Sequence, residues 1–207
     1  MSADRLLVLH GLRLKGFAEA SSVGSLYGID GDEVSVALKD LASDGLVLRR
    51  DGRVSGWSLT PEGREVEAKL LREELERSGA RPAIEHAYGR FQRVNGELLD
   101  VCTAWQLKSV DGTQMINDHA DVAHDTETIA RLAKVHAAAA PVAADLGATL
   151  PRFDRYGPRL AHALAKVEAG QTEWFTKPLL DSYHTVWFEL HEDLLSTLDL
   201  QRGAEGR

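Results

Sequence analysis

Apolar residues in the first part of the chain recur at the spacing of short helices. Leucines between positions 6 and 14 predict an opening helix, and residues 17–27 predict a second helix that ends at Gly28. Carboxylates at positions 30–33 would cap a third helix that ends at Gly45. Four positions at spacings of three and four predict the buried face of that third helix: Val34, Ala37, Leu38 and Leu41.

A hairpin pattern follows the third helix. Residues 46–50 and 53–59 predict two strands joined by Asp51-Gly52, a dipeptide that tolerates the positive φ angles of a two-residue type I′ turn. Thr60-Pro61-Glu62 then supplies a hydroxyl cap, a proline at the first helical position and an early acid. These residues predict a further helix that runs to about Arg77 and acts as a rigid connector.

Helical spacing of apolar residues then continues almost to residue 200. Asp111-Gly112 is predicted to end the first of four long helices. Pro141 is predicted to kink or split the second helix, because proline lacks the amide that a helix interior requires. The four predicted helices cover approximately residues 84–105, 118–146, 151–170 and 178–198. Four amphipathic helices would form a bundle-like domain.

The order helix, helix, turn, helix, strand, turn and strand is that of a winged helix-turn-helix. A domain boundary is expected where Gly79, suited to a helix C-cap, precedes Pro82, suited to a helix start. We expect a winged helix-turn-helix domain with its connector over 1–78, a linker over 79–84, a helical effector or dimerisation domain over 85–200, and a flexible tail over 201–207. The expected fold class is mostly α, with a small β-hairpin wing and an all-helical, bundle-like second domain.

The net charge of the chain argues against some classes of function. The chain has 24 Lys and Arg against 32 Asp and Glu, a net charge of −8, which argues against general adhesion to polyanions. Residues 1–65 hold eight basic and ten acidic residues, so any contact with nucleic acid must be local. The first residues show no basic leader, and no apolar run approaches about 18 residues, so we expect a cytoplasmic protein without a membrane partner.

The segment 41–53, followed by Leu59-Thr60-Pro61-Glu62-Gly63-Arg64, resembles the MarR family of bacterial transcriptional regulators. Asp51-x-Arg53 matches that family's wing motif, and Leu59-Thr60-x-x-Gly63 matches the segment that follows the wing. The resemblance covers about residues 5–75. In layout, a small winged domain followed by a helical effector domain is also similar to the FadR-type branch of the GntR family.

The MarR resemblance implies a DNA-binding regulator. It implies that Arg53 reaches the minor groove, and that Ser35 and Lys39 on the third helix read the major groove. On general charge grounds we add Arg49 and Arg50 as phosphate partners. We expect a homodimer on double-stranded DNA, because one winged module makes few base contacts, with regulation transmitted through the helix over 62–77.

A protein-interaction module that never touches DNA is the alternative. The predicted third helix contains Asp32, Glu33 and Asp40 against Lys39 alone, which is what a protein-binding winged helix would show. No glycine-rich phosphate loop, nucleophile elbow or supported pair of catalytic carboxylates occurs in the sequence, so no enzyme is predicted.

Aromatic and histidine residues concentrate after residue 85. Most are predicted to be core, but they would also suit a pocket for an apolar or aromatic effector between facing helices. The residues predicted for such a pocket are Tyr88, Trp105, Tyr183, His184 and Trp187. The polar cluster over 118–127 has residue types that bind transition metals. Capping and dipole effects at an acidic helix N-terminus explain the same residues, and we predict neither metal nor cofactor.

Overall fold

The computed structural model describes residues 3–110 and 112–200. The chain is mostly helical with short antiparallel two-stranded sheets, which confirms the mostly α class. It divides into two compact units, whose described residues are 3–81 with 191–200, and 82–110 with 112–190. The predicted tail over 201–207 and Asp111 of the predicted helix break lie outside the described residues.

The first unit contains four helices and one hairpin from the N-terminal part of the chain. These elements are α1 (Arg5–Lys15), α2 (Ala20–Tyr27), α3 (Gly31–Ser43), β1 (Val47–Arg50), β2 (Gly56–Leu59) and α4 (Pro61–Ser78). Side chains from α1, α2, α3 and both strands form one apolar core, and all four residues predicted for the buried face of α3 lie in it. Asp30 caps α3 as its carboxylate accepts a hydrogen bond from the amide of Asp32 at 2.8 Å.

The second helix is shorter than predicted, because the residues before it are extended. Ala18 pairs with Trp57 through two backbone hydrogen bonds, of 3.0 Å from the Ala18 amide and 2.8 Å from the Trp57 amide. Phe17 also lies against β2, where a Cβ on Gly56 would be 2.9 Å from its ring. Helix α2 therefore begins at Ala20 and ends at Tyr27. Gly28 follows as its C-cap and adopts the left-handed conformation expected of a glycine there.

The hairpin loop differs from the predicted two-residue turn. The last strand pair is Arg50 with Gly56, so five residues, 51–55, connect the strands, and Gly52 is not among the glycines with positive φ. A two-residue turn at Asp51-Gly52 would have placed Arg50 opposite Arg53. The observed register instead pairs Val47 with Leu59 and buries both, because burial of one strand face decides the register more strongly than turn preference.

The second unit is built mainly of helices. Its elements are α5 (Arg81–Gln106), β3 (Leu107–Val110), β4 (Thr113–Ile116), α6 (Val122–Thr149), a 3₁₀ turn (Pro151–Phe153), α7 (Tyr156–Glu168), α8 (Glu173–Thr176) and the first half of α9 (Tyr183–Leu198). Helix α5 begins inside the predicted linker, and α6 continues through Pro141. The hairpin of β3 and β4 was not predicted, although Asp111-Gly112 was available as a turn signal.

Helix α9 contributes to both units. Its residues 183–190 group with the second unit and its residues from His191 onward group with the first, whereas the sequence placed the whole helix in the C-terminal domain. The helix begins at Tyr183, later than the predicted start near Pro178. None of the helices in the described ranges combines the length and the apolar composition that crossing a membrane requires.

Candidate nucleic-acid interface

Close packing between α2 and α3 determines which face of α3 points outward. A Cβ on Gly24 would lie 2.4 Å from the carbonyl oxygen of Ile29, and one on Gly31 would lie 3.2 Å from Cα of Ser21. Only glycine permits the first of these approaches, since real Cβ atoms essentially never come within 3.0 Å of another atom. The turn and the two helices are therefore held tightly, and the remaining face of α3 is left to solvent.

The outward face of α3 carries mixed chemistry. Of the two residues predicted to contact bases, Lys39 is exposed and Ser35 is half-buried. Three carboxylates, Asp32, Glu33 and Asp40, are exposed on the same helix, and Val36 is 53% exposed. The helix therefore offers one cation among three anions, together with an uncovered apolar side chain.

The hairpin holds the cations of this surface, but not all of them are available. Arg50 and Arg53 are exposed and form no ion pair with any residue in the described ranges. Arg49 is also exposed, but its Nε donates to Asp51 at 2.9 Å and its Nη1 to Glu19 at 3.3 Å. The hydrogen bond to Asp51 is the main cause that raises the pKa of Arg49. The predicted positive surface is thus divided, with Arg49 already neutralised by its own neighbours.

The Leu59-Thr60-x-x-Gly63 pattern has a structural explanation. The Thr60 hydroxyl accepts a hydrogen bond from the Gly63 amide at 2.9 Å and lies 2.9 Å from the carbonyl oxygen of Gly45, to which it donates. A Cβ on Gly63 would lie 2.0 Å from the carbonyl oxygen of Leu46. The first turn of α4 is therefore anchored on the segment that joins α3 to β1, and this contact fixes the base of the hairpin.

Removing the Thr60 hydroxyl should weaken this anchor. We expect Thr60→Ala to lower the free energy of unfolding by about 1–2 kcal/mol, because the helix loses its cap and the carbonyl oxygen of Gly45 loses the hydroxyl donor. Thr60→Ser is the matched control, which keeps the hydroxyl and should stay within about 0.5 kcal/mol of wild type. Urea denaturation measures both changes, and equal losses in the two variants would show that the hydroxyl is not the anchor.

The predicted effector residues lie in the second unit, where two of them stack on other aromatic rings. Trp187 stacks on Phe91 with ring centroids 4.6 Å apart, and its Nε1 donates to Asn95 at 2.9 Å. Trp105 instead stacks on Phe175 at 4.3 Å. Tyr88, Trp105, Tyr183 and Trp187 are buried, and His184 is half-buried.

One of the five predicted residues borders a narrow apolar crevice. Trp187 lines this crevice together with Phe91 and Leu190, and the crevice has no room for a water molecule. Two larger open grooves along α5 and α6 are lined by other residues, including Arg90 with Asp145 in one and Glu97 with Arg131 in the other. The described aromatic residues therefore act as core, as most of them were predicted to do.

The polar cluster over 118–127 begins α6. Asp121 caps the helix by accepting a hydrogen bond from the His124 amide at 3.1 Å. The ring of His119 lies 2.9 Å from Asp125, and buried Asn117 donates to the same carboxylate at 2.8 Å. Within the described ranges no three His, Cys, Asp or Glu side chains are arranged so that they could hold a metal ion. Asn117, which the sequence did not single out, organises this cluster.

A second polar cluster, inside the first unit, was also missed. The ring of His10 and the carboxylates of Glu67 and Asp193 are completely buried where α1, α4 and the end of α9 meet. A histidine on the leucine-rich face of α1 was the available signal. Its partners are far away along the chain, so their proximity is a product of the fold.

Comparisons with protein-family models, with curated proteins and with solved structures found no match to this chain. The function therefore has to be inferred from the surface of α3 and the hairpin.

Proposed function

We propose that this chain is a DNA-binding transcriptional regulator of the winged-helix type. Helix α3 would enter the major groove, and the hairpin of β1 and β2 would act as the wing. The observation that carries this proposal is the exposure of Arg50 and Arg53 at the hairpin, without an ion pair to any described residue. Exposed arginines on a hairpin beside an outward-facing helix are suited to phosphate and minor-groove contacts.

The net charge of the first unit limits which of its residues could attract DNA. With a net charge of −2 over residues 1–65, attraction to DNA must come from a few cations rather than from the whole surface. We assign phosphate or groove contacts to Arg50 and Arg53, and give Arg49 a smaller share because Asp51 and Glu19 already neutralise it. Ser35 and Lys39 are the proposed base-contacting residues of α3.

Few contacts per module favour a two-fold dimer on a repeated half-site. The helices of the second unit are the proposed source of subunit pairing, of effector sensing, or of both. Size-exclusion chromatography with light scattering would detect the dimer, and a strictly monomeric protein that binds DNA selectively would overturn this part.

The double variant Arg50→Ala/Arg53→Ala tests the proposed contacts. We expect its affinity for the selected DNA to fall about tenfold or more, and the slope of log affinity against log salt to fall by about 1–2. Arg72→Ala, an exposed arginine of α4, is the matched control for removal of a positive charge. Equal affinity for wild type and the double variant at every salt concentration would contradict the assignment.

A protein partner is the second candidate. The observation that favours it is the exposed face of α3, where three carboxylates accompany Val36, with Leu48 and Val54 exposed on the nearby hairpin. Val54 is 72% exposed. Such a face suits a basic and apolar protein surface better than phosphate, so absence of selective DNA binding by wild type at low salt would favour this candidate.

A further inference from the structure

Three ionisable side chains meet in the interior of the first unit, away from the proposed DNA surface. Nδ1 of His10 lies 2.7 Å from Oε1 of Glu67, and its Nε2 lies 3.1 Å from Oδ1 of Asp193. All three side chains are 0% exposed. We call these three residues the His10 cluster, which joins α1, α4 and the part of α9 that belongs to the first unit.

The geometry constrains the number of protons in this cluster. An ionised carboxylate only accepts hydrogen bonds, and a neutral imidazole has one N–H and one bare nitrogen. A neutral His10 would therefore direct the lone pair of one nitrogen at a carboxylate oxygen about 3 Å away. The contact with Asp193 is a close ionic approach rather than an aligned hydrogen bond, but it too favours a proton on the nitrogen.

The charged residues around the cluster also favour a protonated His10. Arg13 of α1 lies at the edge of the cluster, with Nη1 3.4 Å from Glu67 and Nε 3.5 Å from Glu192 of α9. The Thr197 hydroxyl lies 3.2 Å from Asp193. Two of these carboxylates, those of Glu67 and Asp193, are fully buried at the two nitrogens of the His10 ring. Burial of a negative charge is costly unless a positive charge lies close by, so an imidazolium at His10 is favoured.

We propose that His10 is held as an imidazolium between Glu67 and Asp193, and that this shared proton fastens the end of α9 to α1 and α4. Loss of the proton removes the positive charge between two buried carboxylates, and the contact between α9 and the rest of the first unit is then weakened. The first unit is thus a proton-dependent assembly, in which alkaline conditions loosen the C-terminal turns of α9. This inference is independent of whether the protein binds DNA.

Nuclear magnetic resonance of wild-type protein labelled with ¹³C and ¹⁵N tests the proton directly. A protonated and a bare ring nitrogen differ widely in ¹⁵N shift, and the His10 ring can be assigned through bonds from its own backbone amide. We expect both nitrogens of His10 to be protonated at pH 7.5, where an ordinary histidine, with a pKa of about 6.5, is largely neutral. A bare nitrogen on His10 at that pH would overturn the proposal, including the case in which a carboxyl group holds the proton.

The pH dependence of unfolding gives a second test. If folded protein keeps a proton that the unfolded chain releases above about pH 6.5, the unfolding equilibrium constant should rise by up to about tenfold per pH unit above that value. In Glu67→Gln/Asp193→Asn, whose neutral amides need no imidazolium, this rise should disappear. His86→Gln, which changes an exposed histidine of α5, should keep the wild-type dependence. A wild-type stability that does not fall with pH would contradict the proposal even if the double variant fails to fold.

Discussion

Replacing Gly63 with alanine is expected to lower the free energy of unfolding by about 3 kcal/mol. The new Cβ would lie 2.0 Å from the carbonyl oxygen of Leu46 and 3.0 Å from its carbonyl carbon. Both are backbone atoms, so no side-chain rotation can relieve the overlap, and the first turn of α4 must move away from the hairpin. Movement there would also break the hydrogen bond between the Gly63 amide and Thr60. Urea denaturation measures the change.

Gly96→Ala is the matched control for this substitution. Gly96 also lies inside a helix, α5, but a Cβ there would meet no atom within 4 Å. Alanine at an open helical position is expected to raise the free energy of unfolding by about 0.5–1 kcal/mol, because glycine loses more backbone entropy on folding. Stabilisation by Gly63→Ala as well would show that α4 does not rest on Leu46 as described.

Replacing His10 with leucine is expected to lower the free energy of unfolding by about 3–5 kcal/mol near neutral pH. The apolar side chain fits a leucine-rich helix face, so the loss comes from Glu67 and Asp193, which remain buried without the cation between them. Urea denaturation followed by circular dichroism measures the change.

A compensated variant separates charge from packing. The triple variant His10→Leu/Glu67→Gln/Asp193→Asn removes the cation and both anions together, and should recover most of the stability lost in His10→Leu. Its stability should also vary less with pH than that of the single variant. A triple variant as unstable as His10→Leu would assign the loss to packing around residue 10 instead.

Local sequence signals predicted much of the first unit. Asp30 and Thr60 cap α3 and α4 as their positions suggested, and Gly28 ends α2 in a left-handed conformation. Each of these features depends on interactions between residues close together in the chain, and such interactions can be deduced from residue type and spacing.

Features that depend on distant residues could not be predicted in the same way. Pairing of Ala18 with Trp57 accompanies the loss of three residues, 17–19, from the predicted second helix, and the register of β1 with β2 makes the hairpin loop longer than predicted. The His10 cluster combines residues from the beginning, middle and end of the chain. Likewise, the sequence showed that Arg49 is a cation, but not that Glu19 and Asp51 already neutralise it.

A salt-titrated binding experiment with wild-type protein and genomic fragments tests the proposed DNA surface most directly. Fragments from around the protein's own gene, compared with scrambled duplexes of equal length and composition, separate selective binding from general adhesion. We predict binding that prefers one or a few fragments and that weakens linearly in log affinity with log salt. Absence of preference at low salt, where electrostatic contacts are strongest, would contradict a DNA-binding function and leave the protein-partner candidate.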